Sequence, residues 1–264
     1  MDELSNSCIN CGSAVQTPFC SQCGQQNPAK KINFITLFRD FQSRIYGFDG
    51  MFLRTLRDMT LVPGEVAREF LKGNRVRYVG PVGYFFLVLT IFLLLMQILE
   101  IDLYALSKSS SPIQVEETER QRIVSKKLLD IFQNNMRIFS FVQIPISALF
   151  AWLFFRKSGY NYLENSVLVF YASGHLMWLS VLGLFIFKFT GWNPSTWHVL
   201  INAAFYGFAC LGFYLPGSRL SRFIKGVLVS LASYLVFMVI GMILAAIYIF
   251  SNPEMLEMIQ KTND

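Results

Sequence analysis

The chain has 264 residues and a formal net charge of +6, and 53% of its residues are hydrophobic but only 15% are charged. This composition argues against an ordinary soluble globular protein, in which about 25% of the residues are charged. The apolar residues are concentrated after residue 80, whereas the first 80 residues have the composition of a soluble segment. The sequence therefore predicts a mainly α integral membrane protein with a small soluble part at its N-terminus.

The first motif consists of four cysteines in two C-x2-C pairs, Cys8 with Cys11 and Cys20 with Cys23, which eight residues separate. Two such turns can present four thiolates to one tetrahedral Zn²⁺ ion. Two disulfides would require an oxidising compartment, and a thioredoxin-like redox site would require a βαβ pattern that the sequence lacks. The spacing therefore predicts a zinc ribbon over residues 1–27, with Zn²⁺ as a structural cofactor.

The predicted ribbon lacks the charges that nucleic-acid binding requires. Residues 1–29 contain no Lys or Arg, and a four-thiolate zinc site carries a formal charge of about −2. These charges argue against DNA or RNA as a partner. Val15 and Phe19 lie among uncharged polar residues such as Gln25, all expected to be exposed, and this pattern favours docking of a protein partner. Packing of Val15 and Phe19 on the chain's own connector is the alternative.

Residues 28–80 form a basic cytosolic connector in which three short amphipathic helices are predicted. The first contains residues 34–45, the second begins near Asp49, and the third runs from Pro63 to a stop signal at Gly73. The connector has ten Lys or Arg against five Asp or Glu, a net charge of +5. It is therefore expected to lie on the anionic surface of a lipid bilayer.

Three residues directly before the first apolar segment are candidates for contact with lipid headgroups. Arg75, Arg77 and Tyr78 lead into Pro81, and basic and aromatic side chains are enriched at membrane–water interfaces. The alternative for the basic residues is the ordinary excess of positive charge on the cytosolic side of a membrane protein.

Five nearly uncharged segments follow, and each is about long enough to cross ~30 Å of hydrocarbon as a helix. They comprise residues 81–99, 138–155, 166–187, 197–215 and 224–250. The predicted domains are thus a transmembrane helical bundle over residues 81–253, with an external loop at 100–137 that contains a charged helix, and a C-terminal tail at 254–264.

The distribution of basic residues predicts the orientation of these five spans. Fifteen Lys or Arg lie before the first span, after the second, or between the fourth and fifth, and eight lie on the other side. The first 30 residues also lack the apolar core of a secretory signal. The positive-inside rule then places the N-terminus in the cytosol and the C-terminus outside.

Several of these motifs together resemble those of a known family. They are Cys8-x2-Cys11-Gly12, Phe19-Cys20-x2-Cys23-Gly24-Gln25, Pro63-Gly64 and Gly73-x-Arg75-x2-Tyr78-x2-Pro81. With this pattern ahead of a membrane span, the chain resembles the uncharacterised bacterial membrane proteins grouped as domain of unknown function 3667, over roughly residues 8–100. The resemblance implies a zinc ribbon and a multi-pass protein of the bacterial cytoplasmic (inner) membrane. It implies no reaction.

The apolar segments contain few groups for chemistry. From Asn165 to Pro253 there is no Asp or Glu, which argues against carboxylate-coupled transport and intramembrane aspartyl proteolysis. The two histidines belong to no H-E-x-x-H motif. His175 and Asn202 are candidates for an intramembrane polar site, although hydrogen bonding of a neutral His175 to a neighbouring helix is the simpler interpretation.

These observations favour a non-enzymatic membrane scaffold or regulatory protein whose cytosolic ribbon docks a protein partner. Pairs of small residues four apart, such as Gly226 with Ser230 and Gly241 with Ala245, favour close helix packing and a homo-oligomer. The first alternative is a transporter or channel with a polar path near His175, and a weaker one is a lipid-modifying enzyme that acts at the interface. A water-accessible cavity converging on His175 would favour transport.

Overall fold

The computed structural model describes residues 7–26, 50–110, 118–193, 197–215, 217–253 and 255. The predicted connector helix at residues 34–45, the predicted helix start at Asp49 and most of the predicted C-terminal tail lie outside these residues. The described part is mainly helical, as predicted, and its strand-like pairings are two isolated bridges within residues 7–26.

Nine α-helices make up most of the described part of the chain. In order they are α1 (Met51–Leu61), α2 (Pro63–Lys72), α3 (Pro81–Ile98), α4 (Leu103–Ser110), α5 (Glu119–Asn134), α6 (Met136–Phe154), α7 (Tyr162–Thr190), α8 (His198–Phe213) and α9 (Arg219–Ser251). The second and third predicted connector helices correspond to α1 and α2. The charged helix predicted in the loop corresponds to α5, whose start carries a capping box between Thr118 and Gln121.

Local sequence signals determine the ends of α2. Pro63 occupies its first turn, and Gly73 follows its last residue with a φ of 103°, a left-handed conformation that glycine adopts without strain. Val66, Ala67 and Phe70 form its buried face, as their spacing predicts.

Four of the described helices, α3, α6, α7 and α9, are long and apolar enough to cross a membrane. The fifth predicted span is helical over the 16 residues of α8, or about 24 Å at 1.5 Å per residue. Hydrogen bonds Ser180–His198 and Asn165–Tyr214 place the two ends of α8 beside residues 180 and 165 of α7. The helix is therefore shorter than the ~20 residues of a typical span. It lies alongside residues 165–180 of α7.

A proline explains why α8 is shorter than its apolar segment. The helix ends at Phe213, and Tyr214 already has an extended backbone. Helices usually end at or before the residue that precedes a proline, here Pro216. A hydropathy pattern counts Tyr214 and Leu215 as apolar whether or not they are helical, so it predicts too long a helix. The predicted positions of the chain termini on opposite sides stay a prediction.

The buried core lies where α2, α3, α7 and α8 meet. The hydroxyl of Tyr171 on α7 donates to the Val79 carbonyl, 2.6 Å away and directly before α3. Gly174, three residues further along α7, packs so closely on α3 that an added Cβ would lie 2.9 Å from the Phe85 Cα. The residues of α7 before Tyr171 therefore extend past the start of α3, where α2 packs on them.

Helices α8 and α9 cross at two glycines. A Cβ added at Gly226 would lie 2.7 Å from the Gly207 Cα, so this separation requires glycine. Gly226 therefore serves packing within the chain. Gly241 differs, because an added Cβ there meets nothing within 4 Å among the described residues.

Candidate metal centre and the turn it contacts

The four predicted ligand cysteines lie together. Their sulfur atoms are all within 4.8 Å of one another, with 3.5 Å between those of Cys8 and Cys23 and 3.6 Å between those of Cys11 and Cys20. Thiolates bound tetrahedrally at about 2.3 Å from one ion are about 3.8 Å apart, whereas disulfide-bonded sulfurs are about 2.05 Å apart. The four cysteines are therefore free thiols placed to hold one metal ion.

Each C-x2-C pair lies in a turn that glycine completes. The Gly12 N–H donates to the Cys8 carbonyl and the Gly24 N–H to the Cys20 carbonyl, both at 2.8 Å. The φ values of these glycines are 74° and 72°, a left-handed conformation that a Cβ disfavours. The apolar core of the ribbon consists of little more than Val15, Cys8, Cys20 and Cys23. Metal binding is therefore expected to supply most of the folding free energy of the ribbon.

Two of the thiols have shifted pKa values. Hydrogen bonds with the side chain and backbone of Ser13 lower the pKa of Cys11 to about 6. Burial raises the pKa of Cys23 to about 11. Because a metal ion binds thiolates, its binding at neutral pH must release the proton of Cys23. The metal affinity is therefore expected to fall as the pH decreases.

The ribbon contacts the rest of the chain through Gln25. Its Nε2 donates to the Gly73 carbonyl (2.6 Å), and its Oε1 accepts from the Arg75 N–H (3.1 Å). The side chain is only 2% exposed, so the prediction of an exposed Gln25 is wrong. The two partners lie 48 and 50 residues away along the chain, a separation at which no local pattern indicates a contact. The ribbon is thus attached to the turn between α2 and α3.

Helix α1 contacts the same turn near its C-terminal end. The Tyr78 hydroxyl donates to Asp58 Oδ2 (2.9 Å), and the Val79 N–H donates to Thr55 Oγ1 (3.0 Å). Burial opposes ionisation of Asp58, but hydrogen bonds from Arg57 and Tyr78 lower its pKa overall. Burial and the hydrogen bond with Asp58 raise the pKa of Tyr78 to about 12. The sequence did not predict buried Thr55 and Asp58, because the buried face of an amphipathic helix is expected to consist of apolar residues.

Two of the three residues predicted to contact lipid headgroups are buried. Arg75 and Tyr78 are at most 7% exposed, whereas Arg77 is exposed. The Arg75 Cζ lies 5.5 Å from the centre of the Phe70 ring, and the Arg77 Cζ lies 5.3 Å from that of Tyr78. These cation–π contacts stabilise the turn internally. Headgroup contact stays a prediction, and Arg77 is the residue of the three that is accessible for it.

His175 and Asn202 lie in different surroundings. The Nδ1 atom of His175 is 3.0 Å from the Tyr84 hydroxyl and its Nε2 is 3.2 Å from Thr60 Oγ1, while its ring stacks on Phe205. Both ring nitrogens are thus hydrogen-bonded to neighbouring helices, as the simpler interpretation of His175 predicts. Asn202 lines a separate cavity, and His175 is not among the described residues that line it.

Residues 49–93 match the model of a family described as protein of unknown function (DUF3667). The matched segment contains α1, α2, the turn that Gln25 contacts and most of α3, and it begins after the cysteine motif. No curated protein and no solved structure matches the chain. The match supports a relationship to this uncharacterised family and assigns no activity.

We expect Gln25→Ala to release the ribbon from the turn without loss of its metal. The substitution removes the two hydrogen bonds that join the ribbon to the turn, and each is worth about 1 kcal/mol. Hydrogen–deuterium exchange of the Arg75 amide should rise about tenfold or more. The matched control is Gln22→Ala, which changes an exposed glutamine of the same ribbon and should leave exchange as in the wild type. Equal exchange in the two variants would contradict the contact.

Proposed function

We propose that this protein is a non-enzymatic, multi-pass scaffold or regulatory protein of the bacterial cytoplasmic membrane, and that its cytosolic ribbon docks a protein partner. In this proposal the four cysteines hold Zn²⁺ as a structural ion. The observation that carries the proposal is a pair of exposed apolar side chains, Ile9 and Phe19, on a ribbon that has no Lys or Arg and that a metal ion can fold.

The donor set supports Zn²⁺ as the ion. Thiolates are soft ligands, and tetrahedral four-sulfur sites in proteins hold zinc or iron. Here protein side chains supply four sulfurs, which is typical of structural zinc, whereas catalytic zinc keeps one position open for water. The ribbon therefore offers a folded surface rather than a reactive metal centre.

The surface of the ribbon supports docking to a protein. The side chain of Phe19 is 58% exposed and that of Ile9 is 47% exposed. Val15, the other predicted anchor, is buried beside the ligand cysteines, so the prediction of its exposure is wrong. Residues 7–26 contain no charged residue, so this surface has no electrostatic attraction for phosphates and little charge to desolvate against an apolar partner. Because the hydrogen bonds of Gln25 attach the ribbon to the turn between α2 and α3, the exposed Phe19 side chain has a defined position relative to that turn.

Basic residues at one end of the helical bundle support a cytosolic position for the ribbon. The Lys225 Nζ lies 5.8 Å from the ring of Phe155, which directly precedes Arg156. Phe155 stacks on Tyr214, whose carbonyl accepts a hydrogen bond from Arg222. The α6–α7 and α8–α9 connections therefore meet at one end, and α2 packs on the last turn of α8 there. By the positive-inside rule, this end faces the cytosol.

Phe19→Ala tests the docking surface. Affinity capture from native membranes, quantified by mass spectrometry, should yield about 30-fold less partner, because a buried aromatic anchor contributes ~2 kcal/mol or more. Zinc content and membrane insertion should stay as in the wild type. Gln16→Ala, a change at another exposed residue of the ribbon, is the control. Unchanged capture would dismiss this surface, and loss of zinc together with capture would make Phe19 part of the ribbon's own fold.

A further inference from the structure

A cavity of about 200 Å³ lies within the apolar part of the helical bundle. Helices α6, α7, α8 and α9 line it, and Phe85 of α3 contributes to one wall. Tyr234, which is 40% exposed, is one of the lining residues, so the cavity reaches the outer surface of the bundle. An engineered cavity of about 150 Å³ accommodates a benzene ring, and this one therefore suits a group of similar or slightly greater size.

Five of the polar side chains that line the cavity have no hydrogen-bond partner among the described residues. They are Ser140, Gln143, Ser173, Ser230 and Tyr234. Serine in an apolar helix commonly bonds to a carbonyl of the preceding turn, as Ser233 does to that of Val229. The five lining side chains instead leave hydroxyl and amide groups available as donors and acceptors.

A hydrogen-bonded chain of three further residues lines the same cavity. Ser180 Oγ lies 2.9 Å from His198 Nε2, and Asn202 Nδ2 lies 3.4 Å from His198 Nδ1. Because the Asn202 amide donates to Nδ1, Nε2 carries the proton of a neutral imidazole and donates to Ser180. The Ser180 hydroxyl can then donate to a bound group, and the Asn202 carbonyl oxygen can accept from it.

We propose that this cavity binds an uncharged hydroxylated group of about the size of glycerol, carried either by a free solute or by the head of a neutral lipid. The described lining contains no Asp, Glu, Lys or Arg, so a charged group would lose its hydration there without a counterion. A hydroxylated group both donates to and accepts from the side chains of four helices. An alkyl chain alone would leave those side chains unpaired, at a cost in binding free energy for each.

Two probes with the same glycerol group distinguish the two sources. Full-length protein in phosphatidylcholine nanodiscs is titrated with monoolein, followed by native mass spectrometry, and with free glycerol, followed by saturation-transfer NMR. Methyl oleate, which has the ester and the chain of monoolein but no hydroxyl group, is the matched negative probe. Saturable binding of monoolein alone assigns the cavity to a lipid head, and saturable binding of glycerol assigns it to a solute.

Variants of the lining locate the binding. Gln143→Leu is expected to raise the dissociation constant of the bound probe about tenfold, and Ser230→Ala, the smaller change, about threefold. Gln97→Leu is the matched control, because Gln97 is an exposed glutamine of α3 outside the described lining of this cavity. Equal binding of methyl oleate, no saturable binding of either glycerol probe, or unchanged binding in both cavity variants would overturn the proposal.

Discussion

Cys20→Ser in the full-length protein is expected to reduce bound zinc from about one ion per chain to almost none. Cys20 is a buried member of the four-sulfur cluster, and structural zinc in small ribbons binds with on the order of 10–16 kcal/mol at pH 7. Serine is a much poorer ligand, so the ribbon loses most of the free energy that folds it. Inductively coupled plasma mass spectrometry measures the metal, and limited proteolysis within residues 7–26 measures the unfolding.

Loss of the metal should also weaken the contact between the ribbon and the turn between α2 and α3. The Cys20 N–H donates to the Gln25 carbonyl at 2.8 Å, so unfolding of the second C-x2-C turn displaces Gln25 from Gly73 and Arg75. Exchange of the Arg75 amide in Cys20→Ser should therefore rise as it does in Gln25→Ala. The two variants differ in metal content, which separates loss of the ion from loss of the contact.

The matched control for the metal is Cys210→Ser. Cys210 is buried in α8, where it packs near Gly226 of α9 and is not part of the cluster, so this variant should keep its zinc. Wild-type protein without zinc, or native disulfides among the ribbon cysteines in mass spectrometry, would contradict the assignment. Iron in place of zinc would support a metal centre at the four cysteines but would contradict zinc as its ion.

Gly64→Ala is expected to lower the free energy of unfolding by about 3 kcal/mol, the upper part of the usual range for overpacked sites. A Cβ at this residue would lie 2.2 Å from the Ala209 carbonyl oxygen and 2.4 Å from the Phe213 nitrogen. Both are backbone atoms, so no side-chain rotation relieves the overlap, and α2 must move away from α8. The melting temperature of the purified protein should fall by roughly 6–12 °C.

Gly241→Ala provides the comparison for Gly64→Ala. An added Cβ at Gly241 meets nothing within 4 Å among the described residues, and alanine is favoured over glycine in a helix interior by about 0.5–1 kcal/mol. The melting temperature of this variant should be equal to that of the wild type or slightly higher. A Gly64→Ala protein as stable as the wild type would show that α2 does not pack on α8 in this way.

The amino-acid sequence is sufficient to predict the features that depend on neighbouring residues. The two cysteines of each C-x2-C turn are three residues apart, so local backbone geometry brings their sulfurs together. Pro63 and Gly73 predict the ends of α2, because helix ends follow from the conformational limits of single residues. The apolar segments predict α3 and α6 to α9, since transfer of a helix into hydrocarbon depends chiefly on its composition.

Tertiary structure alone decided the features that join distant parts of the chain. Gln22 and Gln25 are the same residue type three positions apart, yet only Gln25 is buried, because the turn at residues 73–75 supplies backbone partners for its amide. The cavity likewise combines side chains of five helices that no sequence pattern connects. A polar side chain is buried where a partner can satisfy its hydrogen bonds, and the assembled chain determines where that partner lies.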